Sequence, residues 1–174
     1  MSGHSKWSNI KNRKGAQDKK RSAVFTKVSK NILTAIRTGV GLKAAIDKAR
    51  EVNMPNENVE RLIAKFEERK ASLVLVTLEG YGPFGIPIII QLETDNKNRV
   101  LGEIKLIFRN YDGNLGGVNS AMFQFERAGE MLIPNNPIVL NSEDEVVKIM
   151  DMIEELEEND DVINVFAGFD YKKV

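Results

Sequence analysis

The stretch LVLVTLEGYGPFGIPIIIQLET, residues 73–94, decides the fold class of this chain. Apolar and β-branched residues fill both of its ends, and glycine and proline fill its centre at 80–85. Two such runs around a short glycine-containing turn are typical of a β-hairpin. We therefore predict strands over residues 73–79 and 86–94. Pro87 has no amide hydrogen to donate to a neighbouring strand, so we expect it at a strand start or an edge.

Downstream of this hairpin, helical and strand patterns alternate. The apolar spacing predicts a helix over residues 98–110 and strands over 121–126 and 130–133. Ser142 and Glu145 have the spacing of a capping box, which opens a helix that runs to about residue 158. A last strand is predicted over residues 162–166. This order predicts an α+β fold, in which helices pack on one face of a mostly antiparallel sheet.

Upstream of residue 72, the apolar residues recur with the 3.6-residue period of a helix. A first helix ends at Gly39 and Gly41 and begins either at Ser22 or earlier, near Ala16. Two more are predicted over residues 42–52 and 56–69. Short amphipathic helices with short connections are typical of a bundle. We therefore predict a basic tail and three-helix domain over residues 1–72, and an α+β sandwich domain over residues 73–174.

The net charge of zero conceals a division between these two parts. Residues 1–72 contain 17 Lys or Arg and 7 Asp or Glu, whereas residues 73–174 contain 8 and 18. Lys and Arg displace condensed counterions from phosphates, so the basic part predicts contact with a polyanion. A merely solvated basic tail is the alternative. Residues 143–161 contain ten acids and one Lys, a pattern that favours a solvated outer face over a docking surface.

The candidate nucleic-acid-binding residues all lie within the first thirty positions. Their cations would contact phosphate. The single tryptophan, Trp7, would either stack on an exposed base or anchor the tail to the helical bundle. The candidate set consists of Lys6, Trp7, Lys11, Arg13, Lys14, Lys19, Lys20, Arg21 and Lys27.

Catalytic chemistry finds little support in the sequence. The only histidine, His4, has no evident partner, cysteine is absent, and neither a phosphate-binding loop motif nor a zinc-helix motif occurs. Residues 93–96 contain possible oxygen ligands for a hard cation, but such residues more often cap the following helix, and we expect that role here. We therefore expect a protein that is not an enzyme, with no catalytic residues, metal or cofactor.

Two further patterns bear on binding and location. The glycines of residues 80–85 and 113–117 are expected to serve backbone geometry rather than anion binding. No apolar run approaches the eighteen or so residues of a membrane-spanning helix, and no secretory signal pattern is present. These features predict no membrane contact and fit a cytoplasmic location.

Motifs spread along the chain resemble those of the YebC/PmpR family. The family pattern is met at GHSKW (3–7), NIK (9–11), RK (13–14), AQD (16–18), NMP (53–55), NVER (58–61), EGYGP (79–83), TDNKNR (94–99), GNLG (113–116), DDV (160–162) and NV (164–165). They occur in the family's order and cover nearly the whole chain, so this chain is identified as a member of that family.

The resemblance implies a helical N-terminal domain and two α+β domains, of which the third is inserted into the second. This sequence departs from the family where the chain passes from residue 134 almost directly to its final helix. The inserted domain, which would occupy that place, is expected to be missing. A smaller departure is Asn12, where a histidine is frequent in the family.

The function implied by the resemblance is regulation of gene expression. The family is known for DNA-binding transcriptional regulators, so we expect a non-enzymatic nucleic-acid-binding regulator, although no helix-turn-helix pattern stands out. An alternative is a ribosome-associated translational activator that binds ribosomal RNA through the basic N-terminal region, since basic segments often fold on RNA. A second alternative is an adaptor that docks a protein on the acidic C-terminal helix. The sequence specifies neither the target nor the oligomeric state.

Overall fold

The structure, a computed structural model, describes residues 17–172, with side chains from residue 24 onwards. The described chain divides into two compact units between Leu73 and Val74. None of its helices is both long enough and apolar enough to cross a membrane.

The first unit is a bundle of three helices. They are α1 (Gln17–Thr38), α2 (Leu42–Glu51) and α3 (Asn56–Arg69), and a short 3-10 turn (Lys70–Ser72) follows them. The bounds confirm the earlier of the two predicted starts of α1 and the predicted extent of α3. Gly39 and Gly41, at φ 71° and 75°, end α1 as expected, because glycine adopts positive φ without strain. Val28 and Ile32 of α1 are buried against Ala49 and Val59.

In its described residues, the second unit contains two α-helices and eight strands. In chain order they are β1 (Val74–Tyr81), β2 (Pro87–Thr94), α4 (Lys97–Asn110), β3 (Asn114–Leu115), β4 (Phe125–Ala128), β5 (Met131–Pro134), β6 (Ile138–Leu140), α5 (Glu143–Glu158), β7 (Val162–Ala167) and β8 (Phe169–Tyr171).

Its central sheet has the strand order β3-β1-β2-β7, and every neighbouring pair is antiparallel. The predicted hairpin of β1 and β2 is confirmed, and Pro87 begins β2 as expected. Ile88, Ile90 and Leu92 of β2 are fully buried in the cluster that also contains the apolar faces of α4 and α5. Ile89, on the other face, packs with residues of the β4–β5 hairpin instead. The predicted fold class, helices on one face of a mostly antiparallel sheet, is therefore confirmed.

Two parts of the sequence prediction were wrong or incomplete. Residues 121–126 are not one strand, because Met122–Gln124 form a 3-10 turn and β4 begins at Phe125. The amides of Ala121 and Met122 donate to the Glu79 carboxylate and are not available to a strand. The parallel pair of β6 and β8 was not predicted either. Each of these strands has three residues, too few for a recognisable alternation.

Candidate nucleic-acid interface

Helix α1 carries six of the seven basic residues of the acid-free segment 19–46. It has 22 residues and is therefore about 33 Å long at 1.5 Å per residue. Its buried residues in the described part are Val28, Ile32, Leu33 and Ala35, whereas the side chain of Lys27 is exposed. Lys27, Lys30 and Arg37 recur at intervals of three and seven residues, so they share one side of the helix, on which Lys30 and Arg37 are only partly exposed.

The predicted site residues divide into two groups. Lys6, Trp7, Lys11, Arg13 and Lys14 lie outside the described residues. Four further members of the candidate set all fall on α1, and they are Lys19, Lys20, Arg21 and Lys27. The structure thus places four of the nine candidates on a single element.

The sequence prediction did not include three cations that continue this basic segment. Lys30 and Arg37 lie on α1, and Lys43 is exposed near the start of α2. Residues 19–46 contain seven Lys or Arg and no acid, a signal that was visible in the sequence. The Arg37 guanidinium lies 5.8 Å from the centroid of the Phe66 ring on α3. This cation–π contact joins two helices, so Arg37 serves the bundle as well as the charge of α1.

In the second unit, the conspicuous buried carboxylate belongs to Glu79 on β1. It accepts the backbone N–H groups of Asn119, Ala121 and Met122 at 2.9, 3.0 and 2.8 Å. Burial by itself raises the pKa of Glu79, but these three hydrogen bonds outweigh burial and lower the pKa below its ordinary value. The carboxylate is thus an anchor for the 116–124 loop. All its acceptor contacts are internal, so it is poorly placed to act on a substrate.

The family-like glycines of this unit serve close backbone approach. A Cβ on Gly80 would lie 2.6 Å from the Asn114 carbonyl oxygen, and one on Gly113 would lie 2.5 Å from the Tyr81 carbonyl oxygen. Both distances are shorter than a carbon–oxygen contact allows. These glycines let β1 and the segment around β3 pack together, in agreement with the predicted structural role.

A second polar cluster joins the start of α4 to the segment before β7. The Arg99 guanidinium contacts the buried Asp161 carboxylate and lies 3.1 Å from Glu103. Thr94 donates its hydroxyl to Asp161 at 2.9 Å. Burial alone lowers the pKa of Arg99, but its hydrogen bonds to Asp161 and Glu103 outweigh burial and raise the pKa above its ordinary value. The cluster therefore contains an ion pair in which the Asp161 carboxylate is buried and the Arg99 side chain is partly exposed.

The side chain of Asn96 accepts the Arg99 amide at 3.0 Å, which confirms the predicted helix cap within residues 93–96. Among the described residues, no group of three or more His, Cys, Asp or Glu could hold a metal ion.

Helix α5 carries the opposite charge to α1. It begins with the predicted capping box, in which the Ser142 hydroxyl accepts the Glu145 amide at 3.2 Å. Its 16 residues contain eight acids and one Lys. Burial raises the pKa of the Tyr111 hydroxyl, and a hydrogen bond to Glu155 together with the charge of Asp151 raises it further. The negative potential around α5 disfavours contact with a phosphate backbone.

Two family models match the chain. The TACO1/YebC protein N-terminal domain matches residues 5–69, and the TACO1/YebC second and third domain matches residues 73–135. A protein of Carboxydothermus hydrogenoformans is 42% identical over 180 residues, which cover 97% of this chain and 73% of that protein. One of Dictyoglomus turgidum is 40% identical, covering 97% and 71%. Both relatives are named "probable transcriptional regulatory protein".

A third relative of that name, from Syntrophotalea carbinolica, shows an internal difference in length. It is 33% identical over 244 aligned positions, which cover 98% of this chain and 96% of the relative. The alignment is 70 positions longer than this chain of 174 residues, so at least 70 residues of the relative have no counterpart here. The second family model ends its match at residue 135, and only residues 135–137 separate β5 from β6. These bounds agree with the predicted place of the missing domain.

The crystal structure of a conserved hypothetical protein from Aquifex aeolicus has the same fold. Its TM-score is 0.58 at 24% identity, over 88% of this chain and 92% of that one. The family models and the extent of the sequence matches lead to one conclusion. This chain belongs to the TACO1/YebC family.

Proposed function

We propose that this chain is a non-enzymatic, nucleic-acid-binding regulator of gene expression. In this proposal the basic N-terminal region and α1 contact phosphate. The observation that carries the proposal is the cationic side of α1, where Lys27 is exposed and no acid occurs between residues 19 and 46. The relatives' names support a regulatory role for this chain.

The mode of binding in this proposal is contact with the phosphate backbone rather than readout of bases by a recognition helix. Helix α3 follows α2 after a short connection, as a recognition helix would. It contains four acids and three basic residues, however, so it does not carry the positive charge expected in a major groove. The cations are concentrated on α1 and before it.

The proposal has two candidate nucleic acids, DNA and ribosomal RNA. The relatives' names favour a transcriptional role on DNA. A basic segment without a recognition helix equally suits structured RNA, which proteins bind largely through shape and phosphates. The second candidate function is therefore a ribosome-associated translational activator that binds ribosomal RNA through the same residues.

The proposal is tested by reversing charge on α1. The triple variant Lys19→Glu, Lys20→Glu and Lys27→Glu should bind duplex DNA and ribosomes more weakly than the wild type. The slope of log K against log salt should also flatten by about 0.7–0.9 for each lost phosphate contact. The matched control makes three reversals at exposed cations of α4, which are Lys97→Glu, Lys105→Glu and Arg109→Glu. If both triple variants bind with the same affinity and slope as the wild type, α1 is not the contact.

A competition separates the two nucleic acids. Ribosome-bound protein is challenged with excess unlabelled ribosomes or duplex DNA at near-physiological salt. Release by ribosomes alone would favour the translational role, and release by both would show a general polyanion binder. Retained biological activity after removal of residues 1–21 would instead support the adaptor that docks a protein on α5.

A further inference from the structure

The outer edge of β1 is open over most of its length. The strand has eight residues, and β3 pairs only with Gly80 and Tyr81 at its end. No described residue pairs with the outer edge from Val74 to Leu78. Val74 and Leu75 are 44% and 76% exposed, so the residues that the structure describes leave this edge accessible.

The composition of this edge is unusual for a strand that faces water. Soluble proteins protect edge strands with charges, proline, bulges or a covering segment, because open edges pair with other chains. Residues 73–78, LVLVTL, contain no charge and no proline. The pairing of β1 with β2 is also continuous, without a bulge. An edge with none of these protective features favours a strand partner.

The hydrogen bonds of the sheet show which groups point outward. The Gly116 amide donates to the Glu79 carbonyl oxygen at 2.8 Å, across the outer edge. In an antiparallel sheet, the N–H and C=O of one residue point to the same side and successive residues alternate. Leu75 and Thr77 therefore direct their backbone groups outward, whereas those of Val76 point to β2.

We propose that the open edge of β1 pairs with β1 of a second copy of this chain. The two strands run antiparallel about a two-fold axis that is perpendicular to the sheet and passes midway between the two copies of Val76. This register places Leu75 opposite Thr77 of the second copy, so that two outward-facing residues exchange both hydrogen bonds on each side of the axis. It is an isologous contact, in which both copies use the same residues.

The side chains in this register suit one another, which argues for a second copy over an unrelated strand. Val74 meets Leu78, and Val76 meets its own counterpart, so β-branched and apolar residues face each other without like charges. The axis preserves the two faces of the sheet, so the combined sheet has eight strands with α4 and α5 of both copies on one side. The paired segment is small beside the roughly 800 Å² per partner of a stable complex. The dimer is therefore reversible and forms as concentration rises.

Sedimentation equilibrium of the full chain tests this proposal. Over about a hundredfold range of concentration, the mass should rise from 19.5 kDa towards twice that value. Thr77→Pro removes an outward amide that pairing with β2 does not use, so this variant should stay at the monomer mass. The matched control Thr77→Val keeps the amide and the side-chain shape, and should associate as the wild type does.

A second variant guards against a folding defect in Thr77→Pro. Leu75→Lys changes an exposed side chain and adds the charge that natural edges use against pairing, so it should also remain monomeric. Leu75→Thr, which adds no charge, is its control. A single monomer mass at every concentration of wild type would overturn the proposal and leave the edge to some other extended chain. A dimer that survives both Thr77→Pro and Leu75→Lys would overturn it as well, because the contact would lie elsewhere.

Discussion

Replacing Glu79 by Gln should loosen the 116–124 loop and destabilise the second unit. The carboxylate accepts the Asn119 amide through one oxygen, and the Ala121 and Met122 amides through the other. Glutamine keeps one acceptor oxygen and places an NH₂ group where the second oxygen was. When the glutamine oxygen keeps the bonds from the Ala121 and Met122 amides, the NH₂ group faces the Asn119 amide. Two donors then face each other where the carboxylate accepted a hydrogen bond from Asn119.

The expected loss follows from that single bond. A hydrogen bond to a charged group contributes about 1.5–3 kcal/mol, so Glu79→Gln should lower the free energy of unfolding by about that amount at pH 7. For a unit of about 100 residues this corresponds to a fall in Tm on the order of 10 °C. The control is Glu126→Gln on the exposed part of β4, which should change stability by less than about 0.5 kcal/mol.

The pH dependence supplies an independent check with a defined sign. The pKa of Glu79 is lowered in the folded protein, so its contribution is complete above the unfolded pKa of about 4.3 and disappears as pH falls through the folded pKa. The difference between wild type and Glu79→Gln should therefore shrink on acidification. Calorimetry gives the stabilities, and hydrogen exchange of the 119, 121 and 122 amides reports the loop directly. Equal stability at pH 7, or a difference that grows on acidification, would refute the reasoning.

Two further substitutions test local features of the second unit. Ser142→Ala removes the acceptor of the Glu145 amide and should cost about 1 kcal/mol in urea unfolding, whereas Ser142→Thr keeps the cap; equal losses in both variants would contradict this assignment. Gly113→Ala places a Cβ 2.5 Å from the Tyr81 carbonyl oxygen and should cost about 1–3 kcal/mol. The control is Gly102→Ala in the middle of α4, where an added Cβ would have no atom within 4 Å, and it should stabilise by about 0.5–1 kcal/mol. If the two variants shift Tm in the same direction, crowding at Gly113 is not the cause.

Periodicity predicted the larger elements because their burial is regular. Helix α3 has the predicted extent, residues 56–69, and the hairpin appears at the change from helical to strand spacing. The 3-10 turn at residues 122–124 was missed because a distant carboxylate binds the preceding amides. Such a contact, over about 40 residues of chain, leaves no local pattern.

Only the charged residues of the candidate site could be predicted from the sequence. The cations of α1 were visible from composition. The anchoring role of Glu79 was not visible, because an isolated Glu in a strand pattern does not reveal which amides it will accept. The sequence prediction omitted Lys30, Arg37 and Lys43, because these cations lie outside the densest cluster of Lys and Arg although they belong to the acid-free segment 19–46.

The two units should become complete at different times during synthesis. The described residues of the helical core cluster lie between residues 25 and 63, and such local contacts form quickly. In contrast, Ile90 of the central strand β2 pairs with Val165, so the sheet lacks a neighbour until nearly the whole chain has been made. N-terminal units generally fold first as a chain emerges. The basic unit should therefore be folded while most of the compensating acids are still to be added, and a nascent chain would meet phosphates with a net positive charge that the finished protein lacks.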